Sequence, residues 1–481
     1  MSVVIQPAQR ARGDRFVRRH VGFAAWAFAL IFGLIGVAAN PAHAEVVPLP
    51  DDDPFYVPPS GYESLPNGTV LRDRTINAQY LLPFLSTDVL SELGGSAEKF
   101  FPWFEQLKNL KINAYQVLYK SLDSHDRPTA QVATVLVPQG PWIGSGPRPL
   151  ISYQVAQDST TTRAAPSYTL RAGLLSAGAL ANPTFEVSLS LPALAYGYAI
   201  VYPDYEGPHA QFIAGPQAGH GVLDGVRAVL NYAPAGLAYN TPVGLWGYSG
   251  GGHATGWAAY LKESYAPELN VKGAAVGASA ASDLVQMYYN NNGKFVAGSL
   301  LVTAIAGLDR AFPEAGIYEY LNPAGKQLID SAQDETLIEG ILKRPVLAPL
   351  EMFTKEPWVP VPESKVGKYV FGINTLAGKR APRTVPILNY HDEFDELVPV
   401  KADNDLALQY CREGVPVEVM RTFTPIPLIG LVHIAGEAEG ALPALNYLAN
   451  RFKGLPARND CPYSAIWASP LPLPYKAFIT Q

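Results

Sequence analysis

Cysteine is nearly absent: the 481 residues hold two, Cys411 and Cys461. So few cysteines exclude a disulfide-dense scaffold, and no Cys/His spacing suits a structural zinc site. Charge is also sparse, at 16% of residues, and basic residues are not in excess. Lys and Arg number 36 against 42 Asp and Glu, for a net charge of −6. A nucleic-acid partner normally leaves a basic footprint, so that class is set aside. Internal repeats and low-complexity tracts are lacking, which excludes solenoids and disordered linkers. Only one long apolar run is present, Val21 to Ala39, so a polytopic membrane protein is excluded too.

That run follows a basic segment with Arg10, Arg12, Arg15, Arg18 and Arg19, and precedes Ala42-His43-Ala44. Basic, apolar and Ala-x-Ala regions in this order read as an export signal over residues 1–44, with the mature chain starting at Glu45. The run is also long enough for an uncleaved anchor. In an exported protein two cysteines most simply form one disulfide, the alternative being two buried thiols. Closing a loop of about 50 residues contributes roughly 4 kcal/mol in the chain-entropy model.

What the chain does have is a large apolar fraction, 48%, together with 42 glycines and 43 prolines. Residues 45–66 form a Pro- and Asp-rich arm. Ala114 to Leu122 and Gln131 to Pro138 read as strands joined by a polar turn. Pro149 to Val155, Tyr198 to Pro203, Val243 to Tyr248 and Val271 to Ala278 are continuous apolar runs, which suit parallel strands covered on both faces. Gly219 to Tyr232 carries apolar residues at helical spacing. Strands alternating with helices imply an α/β fold around a mostly parallel sheet. From Asp283 to Lys379 the alternation stops. Strand character returns at Thr384 to Tyr390, followed by a helix at Lys401 to Cys411, a strand at Val415 to Arg421 and a helix at Ala441 to Phe452. The expected organisation is a core over 45–282 and 381–481, with a helical cap inserted at 283–380. Within it, Phe295 to Leu308 is either a lid helix facing lipid or a helix packed inside the cap.

Gly247-Tyr248-Ser249-Gly250-Gly251 stands between the run Val243 to Trp246 and a Gly/Ala-rich stretch to Tyr260. Chance alone gives roughly 0.2 copies of Gly-x-Ser-x-Gly in such a chain, but the strand before it and the helix after it make a nucleophile elbow. A serine nucleophile needs a base and an acid, which follow it in the order Ser, Asp/Glu, His on this type of sheet. Eight histidines reduce by order to one. His20 and His43 lie in the signal, and His125, His209 and His220 precede the serine. His253 is four residues beyond it on one helix, and His391 precedes the acid cluster. His433 remains, in the loop before the last helix. The acid comes from Asp392, Glu393, Asp395 or Glu396. Asp395 is preferred over Asp392 because Leu397-Val398-Pro399 then turns the chain into a helix. Asp204 and Glu206, ending another buried strand, read as structural.

Several longer motifs resemble the secretory lipase family typified by Candida antarctica lipase A, within the α/β-hydrolases. They are Asp53-Pro54-Phe55-Tyr56, Val132 to Pro138, Ser152-Tyr153-Gln154 with Asp158-Ser159, Pro203 to Pro208, Leu223-Asp224-Gly225, the elbow, and Tyr390-His391 to Pro399. The resemblance runs from about Asp53 to Cys461. It implies an α/β-hydrolase core with a helical cap, and lipase or esterase activity on lipid or other esters with no metal or cofactor and no protein partner. By position it implies Ser249 as nucleophile, Asp395 as acid and His433 as base, with an oxyanion hole from the backbone N–H groups of Asp158 and Gly250. The chain departs from the family pattern at Asp392, where a small residue is usual. Val432 stands where many hydrolases of this fold have Gly, and no cysteine follows Asp158. Cys411 and Cys461 bracket His433, so a bridge between them is expected to steady that loop.

Overall fold

The computed structural model describes residues 47–77, 110–173, 183–294, 296–344, 347–424 and 431–469. The export-signal reading lies outside them. Among the described residues no helix is long and apolar enough to cross a membrane. Nine strands among the described residues form one sheet: β1 Val70–Thr75, β2 Ile112–Leu122, β3 Pro128–Pro138, β4 Leu150–Gln154, β5 Ala199–Pro203, β6 Val243–Tyr248, β7 Val271–Gly277, β8 Ile387–Asp392 and β9 Val417–Thr422. Their order across the sheet is β1-β2-β3-β5-β4-β6-β7-β8-β9. Strands β1, β2, β3 and β5 pair antiparallel in turn, and every pair from β5 through β4 to β9 is parallel.

Among the described residues the helices of eight or more residues are α1 Pro183–Ser190, α2 Gly215–Asn231, α3 Ser249–Tyr265, α4 Leu284–Asn291, α5 Ala297–Ala311, α6 Pro323–Asp330, α7 Lys365–Asn374, α8 Val400–Arg412 and α9 Leu431–Phe452. Strands β4, β5 and β6 are buried along their whole length, because helices cover both faces. One core layer joins the sheet to α2 and α3 through Val201, Val222, Val226, Leu245 and Trp257. The other joins it to α9 through Ile151, Trp246, Tyr390, Leu445 and Leu448. Each such side chain contributes about 1.5–3 kcal/mol by leaving water. The segment between β7 and β8 builds a third apolar cluster, with Leu284, Val302, Leu308 and Phe371. Its only strand-like feature among the described residues is a single bridge, Leu321 to Thr354.

The expected strands recur within about three residues at each end, and two elements differ. Strand β1 is half exposed and has no apolar alternation. It exists because its backbone pairs with the edge of β2. Helix α9 begins at Leu431, ten residues before the expected start, so His433 lies in its first turn and not in a loop. Gly436, Gly440 and Pro443 disguise this helix, being poor helix formers. The glycines are there for contact: a Cβ at Gly440 would lie 2.4 Å from the Tyr390 ring, and one at Gly436 2.8 Å from the Tyr248 hydroxyl. The N-terminal arm folds into short 3-10 turns, strapped down by Asp53, which pairs with Arg74 and Arg171 at 2.8 Å each.

Candidate active site

The order of β4, β5 and β6 creates the site. The chain leaves β4 for β5 on one side and returns to β6 on the other, so the loops after β4 and β6 diverge above two paired strands, Gln154 lying opposite Gly247. Crevices open at such switch points. Ser249 follows β6 as the first residue of α3, with φ 54°. A residue with a side chain pays of order 1–3 kcal/mol for that conformation. The turn is so tight that flanking side chains do not fit. A Cβ at Gly247 would meet the Gly251 carbonyl oxygen at 2.4 Å, and one at Gly251 would meet that of Gln154 at 1.9 Å.

Asp158 lies in the loop after β4, also with a left-handed backbone, φ 46°. It touches the elbow: a Cβ at Gly250 would sit 1.9 Å from Asp158 Oδ1. That oxygen is buried and has no hydrogen-bond partner among the described residues. Burial pushes the Asp158 pKa up to about 7, against the pull of His433. Ser249, Gly250, Asp158 and His433 open onto one cavity of about 300 Å³, walled mainly by apolar side chains such as Phe212, Leu284, Leu300, Ile305 and Ile338.

His433 Nδ1 donates to Asp395 Oδ2 at 2.7 Å. The other oxygen of Asp395 accepts the Leu397 and Val398 N–H groups at 2.9 and 2.8 Å. Burial raises the Asp395 pKa, but the charges and hydrogen bonds of His433 and His391 outweigh it and hold the carboxyl well below its ordinary range. For His433, burial pulls the pKa down. The Asp395 charge and hydrogen bond, aided by Glu396 and Glu437, turn the net shift upward. Asp392 is engaged elsewhere: it accepts the Thr422 and Thr424 hydroxyls at 3.0 and 2.9 Å and the Phe394 N–H at 2.9 Å. Of the competing acids, Asp395 is the one whose carboxylate meets the His433 ring. Glu396 Oε1 lies 3.5 Å from the His433 backbone N–H.

Chain order sets His391 aside, yet it touches the same carboxylate. Its Nε2 lies 3.1 Å from Asp395 Oδ2 and 3.0 Å from the Val398 carbonyl, and its Nδ1 2.8 Å from Asp403 Oδ2. All three partners are acceptors, so both ring nitrogens carry hydrogen. Burial lowers the His391 pKa, but Asp403 and Asp395 raise it to about 9, which makes it an imidazolium. Asp403 lies one helical turn into α8, a spacing with no sequence signature. Two further carboxyls are buried without a sequence signature. Glu186 on α1 accepts the Ala156 N–H at 3.0 Å, and Glu437 follows His433 by one turn; burial raises both pKa values, that of Glu437 to about 8. Asp204 does hold structure, binding the Ser167 N–H at 3.0 Å and the Ser167 hydroxyl.

Cys411 and Cys461 form a disulfide with Cα atoms 5.5 Å apart. The bridge joins the end of α8 to the segment after α9. That segment also runs along β9, where Asp460 bonds Val417 and Val419. His433 lies at the opposite end of α9, about 29 Å away along the helix at 1.5 Å per residue. The expectation that the bridge steadies His433 therefore gives way to one in which it pins the C-terminal segment to the sheet edge.

The family model for secretory lipase matches residues 181–460. A probable inactive lipase of Mycobacterium tuberculosis is 34% identical over 85% of this chain and 83% of its own length. A secreted triacylglycerol lipase of Malassezia globosa is 30% identical over 90% of this chain and 88% of its own. Among solved structures, Candida antarctica lipase A in its closed state matches with a TM-score of 0.71 at 28% identity, covering 91% of this chain and 92% of that one. The sheet order and the flanking helices are those of the α/β-hydrolase fold. The chain belongs to the secretory lipase family.

Proposed function

We propose that this chain hydrolyses carboxylic esters of lipids, acylglycerols foremost, through an acyl-enzyme on Ser249. The observation that carries the reading is the His433–Asp395 pair at 2.7 Å, with His433 lining the same apolar cavity as Ser249, Gly250 and Asp158. Ser249 Oγ attacks the ester carbonyl while His433 takes its proton. Asp395 holds the imidazole in the tautomer that leaves Nε2 free, and stabilises its charge once protonated. The N–H groups of Gly250, at the start of α3, and of Asp158 hold the oxyanion. His433 then returns the proton to the leaving alcohol and activates the water that releases the fatty acid. The apolar walls suit an acyl chain. Residues 1–44 act as an export signal, and residues 283–380 as the cap over the site.

The relative named as a probable inactive lipase supports a second reading, a lipid-binding protein that kept the fold. Hydrolysis of p-nitrophenyl esters of increasing chain length, by the mature protein beside Ser249→Ala, separates the two. The lipase reading expects activity that the variant loses, together with stoichiometric labelling of Ser249 by a serine-directed phosphonate. No activity above the variant and no labelling would leave the binding protein.

A further inference from the structure

We infer that Arg310 on the cap helix α5 is a positioning residue for the oxyanion hole, acting through Thr160 to hold the Asp158 donor in place. The inference rests on the reading of Asp158 N–H as an oxyanion donor. Asp158 keeps a left-handed backbone although it is not glycine, so something must hold it there. On the sheet side, the loop is tied by the Ala156 N–H to Glu186, and by the Tyr205 hydroxyl, which donates to the Val155 carbonyl at 2.8 Å. Burial and the charge of Asp158 push the pKa of the Glu206 carboxyl well up, against the charge of Arg310.

Beyond Asp158 the ties run to the cap instead. Two residues on, Thr160 engages every polar group it has with the segment between β7 and β8. Its N–H donates to the Glu335 carbonyl at 3.1 Å, and its hydroxyl donates to Ala332 at 2.6 Å while accepting the Glu335 N–H at 3.2 Å. Its carbonyl accepts Arg310 Nη1 at 2.7 Å. The same guanidinium reaches the His209 carbonyl at 2.8 Å, the Gln333 carbonyl, and Gln333 Oε1 at 3.0 Å. One rigid fork thus joins the oxyanion loop, the loop after β5 and the cap, a geometry that lysine cannot copy. Helix α5 also walls the cavity with Leu300, Ala304, Ile305 and Leu308. The helix that touches an occupant of the cavity therefore fixes, through its last turn, the loop that presents the donor. Gly250 is carried by the elbow and has no such dependence. Displacement of α5 moves one oxyanion donor and leaves the other.

The test uses Arg310→Met, Arg310→Lys, Thr160→Val and Thr160→Ser in the mature protein. Each is assayed on a p-nitrophenyl ester, with active sites counted by phosphonate titration so that misfolded molecules drop out. Loss of a whole oxyanion donor costs about 10²–10³ in kcat, so a misplaced one is expected to cost about tenfold to a hundredfold. The expected result is that loss in kcat per titrated site for Arg310→Met and Thr160→Val, with KM within about twofold. Arg310→Lys recovers little and Thr160→Ser most of the rate. A brace for stability alone would lower the melting temperature and leave kcat per site unchanged, which overturns the inference, as does a change confined to KM. If Arg310→Met does not fold, Arg310→Lys, which keeps the charge but loses the fork that holds the Thr160 carbonyl, carries the test. A wild-type protein with no esterase activity and no phosphonate labelling would instead sink the lipase reading itself.

Discussion

Asp395→Asn and Asp392→Asn, compared on one ester substrate, test the assignment that sequence order left open. In Asp395, Oδ1 accepts two backbone N–H groups and Oδ2 faces the His433 and His391 rings. An asparagine keeps its oxygen toward the two N–H groups, because stranding those buried donors costs about 1–3 kcal/mol each. Its NH2 then faces His433 Nδ1, which must become an acceptor. The proton moves to Nε2, and the ring no longer takes the Ser249 proton. The corresponding change in a serine protease costs about 10⁴ in kcat, or roughly 5.4 kcal/mol of transition-state stabilisation. Asp392→Asn disturbs only bonds to Thr422, Thr424 and Phe394. It should lower stability by about 1–2 kcal/mol and leave kcat within about threefold. The assay is kcat per phosphonate-titrated site at pH 8, with thermal melts alongside. A larger loss of kcat in Asp392→Asn than in Asp395→Asn would refute the reasoning.

The remaining predictions concern protons and the disulfide. His433 must be neutral to act as a base, and its pKa is raised, so kcat/KM should fall as pH drops through a midpoint above 6.5. His391→Asn removes a buried positive charge beside Asp395, so that midpoint should move further up; a downward move would count against an imidazolium at His391. Asp158 and Asp204 at about 7 and Glu437 at about 8 hold protons that the unfolded chain releases near pH 4. Their stabilisation is complete below pH 4 and is lost as pH rises through 7 to 8, and the raised pKa of His391 acts in the same direction up to about 9. His253, lowered to about 3, opposes this only below 6.5. The melting temperature should therefore fall between pH 6.5 and 8.5, and a rise would contradict the neutral buried carboxyls. The bridge spans 50 residues, so Cys411→Ser with Cys461→Ser should cost roughly 4 kcal/mol, about 4–5 °C for a chain this long. Esterase kcat should be unchanged, because the bridge lies far from His433; a parallel loss of kcat would restore the link.

Local rules made much of this protein readable from its residues alone. The continuous apolar runs at β4 to β7 announce buried parallel strands, since such strands face helices on both sides. The elbow is legible because only glycines at 247 and 251 let strand and helix pass so closely around Ser249. His433 emerged by chain order, which is a property of topology and needs no distances. Other features depended on contacts between residues far apart in the chain. Strand β1 has no pattern of its own and owes its form to the edge of β2. The start of α9 was hidden because Gly436 and Gly440 were chosen for contact with Tyr248 and Tyr390 against helix propensity. The choice between Asp395 and Asp392 turns on which carboxylate points at His433 and which at Thr422, and neighbours in a loop carry no such label. The Asp403–His391–Asp395 chain and the Arg310–Thr160 tie join residues up to 150 positions apart. Burial converts those meetings into shifted pKa values and a held backbone, and burial is a property of the folded chain.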